Sequence, residues 1–280
     1  MCRMWRISHE TRVLILSCLV NGMSMRGTAR VAGVAVNTVA RLVREIGVLA
    51  DRHHEQNVVG VDSRRIQIDE LWGFVGAKQK NAPTTKKRYP GDIWAWLAVD
   101  PDSKLVVSYI VGNRTSREAH ALITDVRKRV IGSPHFTSDG LQQYEEAICA
   151  VYGNRHPYSR IVHSERSAVL GEPDLGDAGT ALVERFNLTV RAHNARYVRR
   201  GMTYSKSIEQ HVNMLCLSLL HYNWVAVHST LKTTPAVAAG LIRHQWSIHW
   251  IAELAEMYHE TARDVARRAA ARRATDEAAG

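Results

Sequence analysis

The chain is short of cysteine. Its four, Cys2, Cys18, Cys149 and Cys216, stand far apart and form no CxxC pair. That argues against a zinc ribbon or a disulfide framework and fits a reduced, cytosolic compartment. Long apolar runs are also missing. The longest early one, residues 13–20, is too short to span a bilayer. His9 and Glu10 precede it and no small-residue cleavage site follows, so neither a membrane span nor a signal peptide is expected. No internal repeat is visible. Acid is in deficit: 27 Asp and Glu stand against 37 Lys and Arg, a formal net charge of +10. A folded chain of that charge suits a polyanion, nucleic acid foremost; the plain alternative is a basic protein with no such partner. Seven tryptophans and nine tyrosines among 280 residues argue against disorder, and the length holds one large domain or a core with a small appendage.

What is present begins with helical periodicity. Residues 8–20 carry Val13, Leu14, Leu16, Leu19 and Val20 at helical spacing, and Asn21-Gly22 ends the run. Residues 25–44 fit a helix-turn-helix in one register. Ala29 is the small residue at the helix crossing, Gly33 the turn and Val39 the anchor of the second helix, with Thr28, Ala32, Val34 and Leu42 flanking. Asn37, Thr38 and Arg41 then face outward, towards DNA bases or phosphates; an ordinary helical hairpin is the alternative. Residues 1–50 read as a helix-turn-helix DNA-binding domain, and 51–62, opening with the polar stretch 51–57, as a linker.

The pattern then turns strand-like. Residues 65–75 are rich in β-branched and aromatic side chains, with Asp69 and Glu70 in their middle. A charge inside such a strand is costly unless paired or bound to metal. Alternation sets Ile66, Ile68, Glu70, Trp72 and Phe74 on one face and Asp69 on the other, which does not say which acid reaches a site. Residues 78–89 form a basic loop. Residues 93–99 and 105–111 read as two more strands of an antiparallel meander, and 116–130 as an amphipathic helix with Ala119, Leu122, Ile123 and Val126 inward. Phe136-Thr137-Ser138 leads into Asp139-Gly140 and a helix over 141–151, which puts an acid at the C-terminal tip of a strand, where ligands collect in α/β folds. A helix N-cap is the commoner role for such an Asp. A short strand lies near 160–163. Glu184 sits in a helix that starts at Ala181, and Arg191, two turns on, shares its face. His193, Arg196, Arg199 and Arg200 continue the basic strip.

Three strands, a helix, an acid-tipped strand and a late acidic helix is the order of an RNase H-like fold. The expected architecture is α/β: a mixed five-stranded sheet flanked by helices over 63–225, preceded by the helix-turn-helix and followed by a helical extension over 226–280. Several motifs carry a family resemblance. Ile68 to Trp72 is followed by Val75 to Lys78, and Ser138-Asp139-Gly140 by Tyr144-Glu145. Val183 to Leu188 is followed by Arg191, and Tyr204 to Ser207 by Glu209. In this order they resemble the transposases of the insertion-sequence-one family. The resemblance covers about residues 64–225. It implies a DDE recombinase with Asp69, Asp139 and Glu184 as the acidic triad, so it chooses Asp69 over Glu70. It also implies Arg191 as the basic residue trailing the third acid. Arg199 and Lys206 are candidates for gripping phosphates. Two departures stand out. No cysteines are placed to build a zinc finger before the helix-turn-helix, and residues 241–280 add an Arg/Ala-rich tail.

Three carboxylates are hard oxygen donors that suit Mg²⁺ or Mn²⁺, two ions in the expected site. The implied reaction is cleavage at transposon ends followed by strand transfer, with no covalent protein intermediate. Double-stranded DNA, as element ends and target, is the implied partner. A homo-oligomer and a bacterial cytoplasmic, nucleoid-associated location follow by analogy. An RNase H-like nuclease and a non-catalytic DNA-binding repressor are the competing readings.

Overall fold

A computed structural model describes residues 7–81, 91–198 and 204–256. Three helices open the chain: α1 (His9–Val20), α2 (Met25–Val31) and α3 (Val36–Asn57). Next come β1 (Val61–Asp62), β2 (Arg65–Val75), β3 (Gly91–Val99), β4 (Val106–Gly112), α4 (Ser116–Arg129), β5 (Val130–Ile131), β6 (His135–Ser138) and α5 (Gln142–Tyr152). A hairpin of β7 (Tyr158–Val162) and β8 (Glu165–Leu170) leads to α6 (Ala181–His193), a 3₁₀ turn at Ala195–Tyr197, α7 (Ile208–Trp224) and the short α8 (Pro235–Ala238).

The main sheet is mixed, in the order β4-β3-β2-β6-β7-β8. β2, β3 and β4 form the expected antiparallel meander, and β6 and β7 run parallel to β2. Six strands replace the expected five because the chain doubles back at His163 and Ser164, both at positive φ, and adds β8 as an edge. β1 and β5 make a separate parallel pair.

Strand alternation sorts the apolar side chains between the two faces. Ile66, Ile68, Trp96, Ala98, Val107 and Phe136 pack with α4 and α5. Leu71, Ala95, Leu97 and Val99 pack with Val183, Phe186 and Val190 of α6. α7 serves both sides, giving Met214 and Leu217 to one cluster and Leu215 and Leu219 to the other.

The N-terminal helices have no core of their own. Ile15, Leu16, Val39, Leu42 and Ile46 belong to the same buried cluster as the sheet. The expected turn is there in detail: Ala29 and Val39 are buried, and Gly33 takes φ +64. The Val34 N–H bonds back to the Ala29 carbonyl, closing α2 in the manner of a glycine C-cap. α3 is seated on α7. Gly47 lies against Asn213, where a Cβ would meet backbone at 2.6 Å, Gln210 Nε2 donates to the Ala40 carbonyl at 3.0 Å, and Arg44 pairs with Glu209 at 2.6 Å.

Two expectations need correction here. The polar stretch 51–57 is the last two turns of α3, not a linker. A distant residue holds those turns: the buried Arg129 guanidinium, from α4, donates to the carbonyls of His54 and Val58. The extension from 226 is only partly helical among the described residues, in α8 and 248–256. It packs inward, with Ile251, Ala252 and Ala255 fully buried and Glu256 paired to Arg12 of α1. Trp246 and Trp250 enclose His53 together with Trp224, and the desolvation lowers the imidazole pKa to about 4. The arginines of the far tail lie outside the described residues.

Candidate active site

Register fixes where two of the acids stand. β2 and β6 run side by side in parallel, with Arg65, Ile66 and Gln67 level with His135, Phe136 and Thr137. Carried two residues further, that alignment sets Asp139 level with Asp69. Asp139 lies just past the end of β6, on a turn that needs glycine next: Gly140 has φ +97, and a Cβ there would meet the Arg160 side chain at 2.5 Å. Asp139 does not cap α5, whose N-cap is Leu141 and makes no side-chain bond. The commoner role of a strand-end Asp therefore does not apply to it.

Glu184 comes from the other side, in the first turn of α6. That turn is docked on β2 by Gln67, whose Oε1 accepts the N–H groups of Leu182 and Val183, both at 3.0 Å. Gln67 thus satisfies two otherwise orphaned helix donors and ties the strand that carries Asp69 to the helix that carries Glu184. Gln67→Leu is expected to leave those two amides unpaired and lower stability by about 1–3 kcal/mol; urea unfolding of the variant beside the wild type measures it.

Asp69, Asp139 and Glu184 line one cleft of about 440 Å³, with Glu70, Trp94, Arg114, Thr180, Asn187, Leu188 and Arg191. Asn187 Nδ2 donates to Asp69 Oδ2 at 2.6 Å and the Glu70 N–H to Asp69 Oδ1 at 2.8 Å. Thr180 Oγ1 donates to Glu184 Oε1 at 2.8 Å. Glu70 is held apart by its own partner: the Arg114 guanidinium donates to Oε2 through two nitrogens, at 2.9 and 3.1 Å, and rests over the Trp94 ring. Burial pushes the Asp69 carboxyl up to about 7; the Glu70 amide opposes this, and Asp139, Glu70 and Glu184 add like charge. Burial also raises Glu70, against Tyr144 and Arg114.

Among the described residues no three His, Cys, Asp or Glu side chains form a ready-made metal shell. The donor set is nevertheless that of a hard cation, and Mg²⁺ characteristically keeps several waters while taking only one or two carboxylates.

The residues expected to face outward from a helix-turn-helix are not brought to this cleft. Asn37 and Arg41 are exposed and Thr38 is half-buried on α3, with Arg41 at 3.8 Å from Glu45. Lys206 is exposed and lines a different groove. Arg199 lies outside the described residues, as does most of the basic loop; its first cation, Lys78, sits over the rings of Trp72 and Phe74. Sequence reasoning passed over Gln67, Arg114, Thr180 and Asn187. Gln67 and Asn187 left a signal: one is a polar residue in an apolar strand two before Asp69, the other lies three past Glu184 on the same helix. Arg114 left none.

A mixed sheet with four carboxylates lining one cleft beside its parallel strand ends defines an α/β protein with an acidic cleft. Sequence comparison narrows the class. Over 162 residues the chain is 28% identical to the InsB protein of insertion element IS1 2 from Escherichia coli (strain K12), covering 56% of this chain and 75% of that protein. The InsB protein of insertion element IS1 from Shigella sonnei is also 28% identical over 162 residues, which is 95% of its length. The chain resembles the insertion-sequence-one family, as its motifs implied. No protein-family model matches the sequence. Among solved structures, a Mos1 transposase paired-end complex with the left transposon end aligns at 12% identity over 54% of this chain and 60% of the other. A pre-cleavage Mos1 transpososome aligns at 9% over 79% and 80%. Both TM-scores are 0.22, too low to bear on the fold.

Proposed function

We propose that the chain is a DDE-type DNA transposase of RNase H-like architecture. Asp69, Asp139 and Glu184 are its acidic triad, and Mg²⁺ or Mn²⁺, as two ions, its cofactor. One observation carries this reading: acids from a strand, a strand-end turn and a helix, far apart in sequence, line a single cleft. The strand order, with β3 antiparallel between β2 and β4 and with β6 and β7 parallel to β2, supports the architecture. The 28% identity to InsB proteins supports the family's activity.

Asp69, Asp139 and Glu184 would hold the cations. When bound, two divalent ions activate the attacking oxygen and stabilise the leaving one. The chain's own residues do the rest. Asn187 and Thr180 hold Asp69 and Glu184 by hydrogen bonds. Arg191, on the helix of Glu184, brings positive charge to a cleft that must admit a phosphodiester. Both steps are in-line displacements. Water first frees a 3′ hydroxyl at the element's end; that hydroxyl then attacks a phosphodiester of the target, releasing a new 3′ end. Asn37, Thr38 and Arg41 of α3 read or grip the end sequence, with Lys206 and Arg199 on the backbone. Joining two ends calls for a homo-oligomer, and the work is done in the bacterial cytoplasm, on the nucleoid. A repressor has no use for the acidic cleft, and a nuclease would stop after the first step.

The test is direct. Labelled duplexes carrying the element's ends are expected to be nicked in Mg²⁺ or Mn²⁺ and left intact in chelator, and pre-nicked ends to join a target duplex. Nicking without joining points to a nuclease; binding without either, to a repressor.

A further inference from the structure

The Asn187 side chain has one end engaged and the other idle. It lies on α6 three residues past Glu184, is only 3% exposed and lines the acidic cleft. Its Nδ2 donates to Asp69 Oδ2 at 2.6 Å. Its Oδ1 is buried and has no hydrogen-bond partner among the described residues. Chemistry fixes which end is which. Asp69 binds a cation only as a bare carboxylate, which offers acceptors alone, so the amide must turn its nitrogen to Asp69 and its oxygen away. Two nearby donors are engaged elsewhere: the Thr180 hydroxyl on Glu184 and the Arg114 guanidinium on Glu70. A buried amide oxygen without a donor is unfavourable, and each such atom in a native fold calls for a reason. In a cleft that must admit a reacting phosphodiester, the reason is a donor that arrives with the reaction. Both proposed steps begin with such a donor, an attacking O–H group.

We infer that Asn187 Oδ1 accepts the hydrogen bond of the attacking hydroxyl, which makes Asn187 a catalytic residue: its nitrogen holds Asp69 and its oxygen aims the nucleophile. The inference rests on the transposase reading and adds a residue to that site. Water is held in the first step and the freed 3′ hydroxyl in the second. An O–H bond pointed at Oδ1 leaves a lone pair of the same oxygen directed at phosphorus. An amide is too weak a base to keep the proton, so its part is orientation. In each step the new oxygen–phosphorus bond forms as the bond from phosphorus to a 3′ oxygen breaks. The nucleophile gives its proton to solvent, and the leaving 3′ oxygen takes one from solvent. Thr180 provides the contrast. It holds Glu184 through one hydroxyl and has no second polar side-chain atom to offer a nucleophile.

The test compares Asn187→Ala with Thr180→Val in the full chain, by two readouts. Mn²⁺ affinity, followed as free Mn²⁺ by electron paramagnetic resonance, is expected to fall about tenfold in each, since each loosens one carboxylate. Nicking of labelled element ends and joining of pre-nicked ends are then measured at saturating Mn²⁺. Thr180→Val is expected to recover, whereas Asn187→Ala stays down about a hundredfold in both steps, because added cation does not re-aim a nucleophile. Recovery of Asn187→Ala overturns the inference and leaves the amide as a holder of Asp69. So does a Mn²⁺ affinity more than about tenfold below that of Thr180→Val, which makes Oδ1 a cation ligand. A joining rate that survives in Asn187→Ala also overturns it, because one oxygen is to serve both nucleophiles. Asn187→Ser, which keeps a small polar side chain too short to bridge to both groups, carries the same expectations should Asn187→Ala fail to fold. A wild-type chain that nicks, beside an Asn187→Ala that recovers, sinks this inference alone; a wild-type chain that never nicks in Mn²⁺ sinks the transposase reading with it.

Discussion

Asp139→Asn is expected to bind duplex DNA as the wild type does while losing metal-dependent nicking by a factor on the order of 10⁴. The substitution keeps shape and removes charge. An amide is a poorer ligand for a hard cation than a carboxylate, and the position needs charge, not bulk. Nothing structural depends on it: Asp139 is exposed and its neighbouring helix is capped elsewhere, so stability should change by less than about 0.5 kcal/mol. Glu184→Gln should behave alike, because Thr180 can donate to a carboxamide oxygen as well as to a carboxylate. Nicking of a labelled end on a denaturing gel decides the matter. A near-wild-type rate in Asp139→Asn removes it from the triad.

Asp69→Asn, unlike Asp139→Asn, should change stability. In the metal-free chain the Asp69 carboxyl is raised by burial and by its acidic neighbours to about 7, against 3.8 for an ordinary aspartate. The folded chain therefore holds that proton more tightly than the unfolded one. As pH rises from about 4 to about 7 the unfolded state ionises first, and the folded state loses stability progressively. Above pH 7 the penalty is complete, as much as about 4 kcal/mol. Asp69→Asn escapes it, so the variant should unfold at a higher temperature than the wild type at pH 8 and at the same temperature near pH 4. Mn²⁺ should narrow the gap at pH 8 by stabilising the wild type more than the variant, since a carboxylate is the better ligand for a hard cation. A destabilised variant at pH 8 without metal contradicts this account of the cleft.

The parts legible in the sequence were those fixed by local periodicity. The β2–β4 meander, the helix over 116–130, the acid at a strand tip and the Ala29–Gly33–Val39 turn all follow from spacing within a few residues. Alternation already separated Asp69 from Glu70. It could not say that Glu70 would be claimed by Arg114, more than forty residues on, because that pairing is tertiary. Two errors have the same origin. The stretch 51–57 looks like a linker because it is polar, yet Arg129 holds its last turns from α4. The β8 strand, with no strongly apolar face, is specified by pairing with β7 and not by its own pattern. Gln67 shows the limit from the other direction. Its oddness is visible in the strand, but only the fold reveals the two amides it serves.

The Gly47–Asn213 crossing and the shared core pack α3 directly against the sheet-bearing body. On the proposed reading the protein is then a ruler. Where α3 sits on an element's end dictates which bond reaches the acids, and that offset belongs to the protein, not to the DNA. Each base pair inserted between the two points turns the helix by about 35°, and a rigid gauge has no play with which to follow.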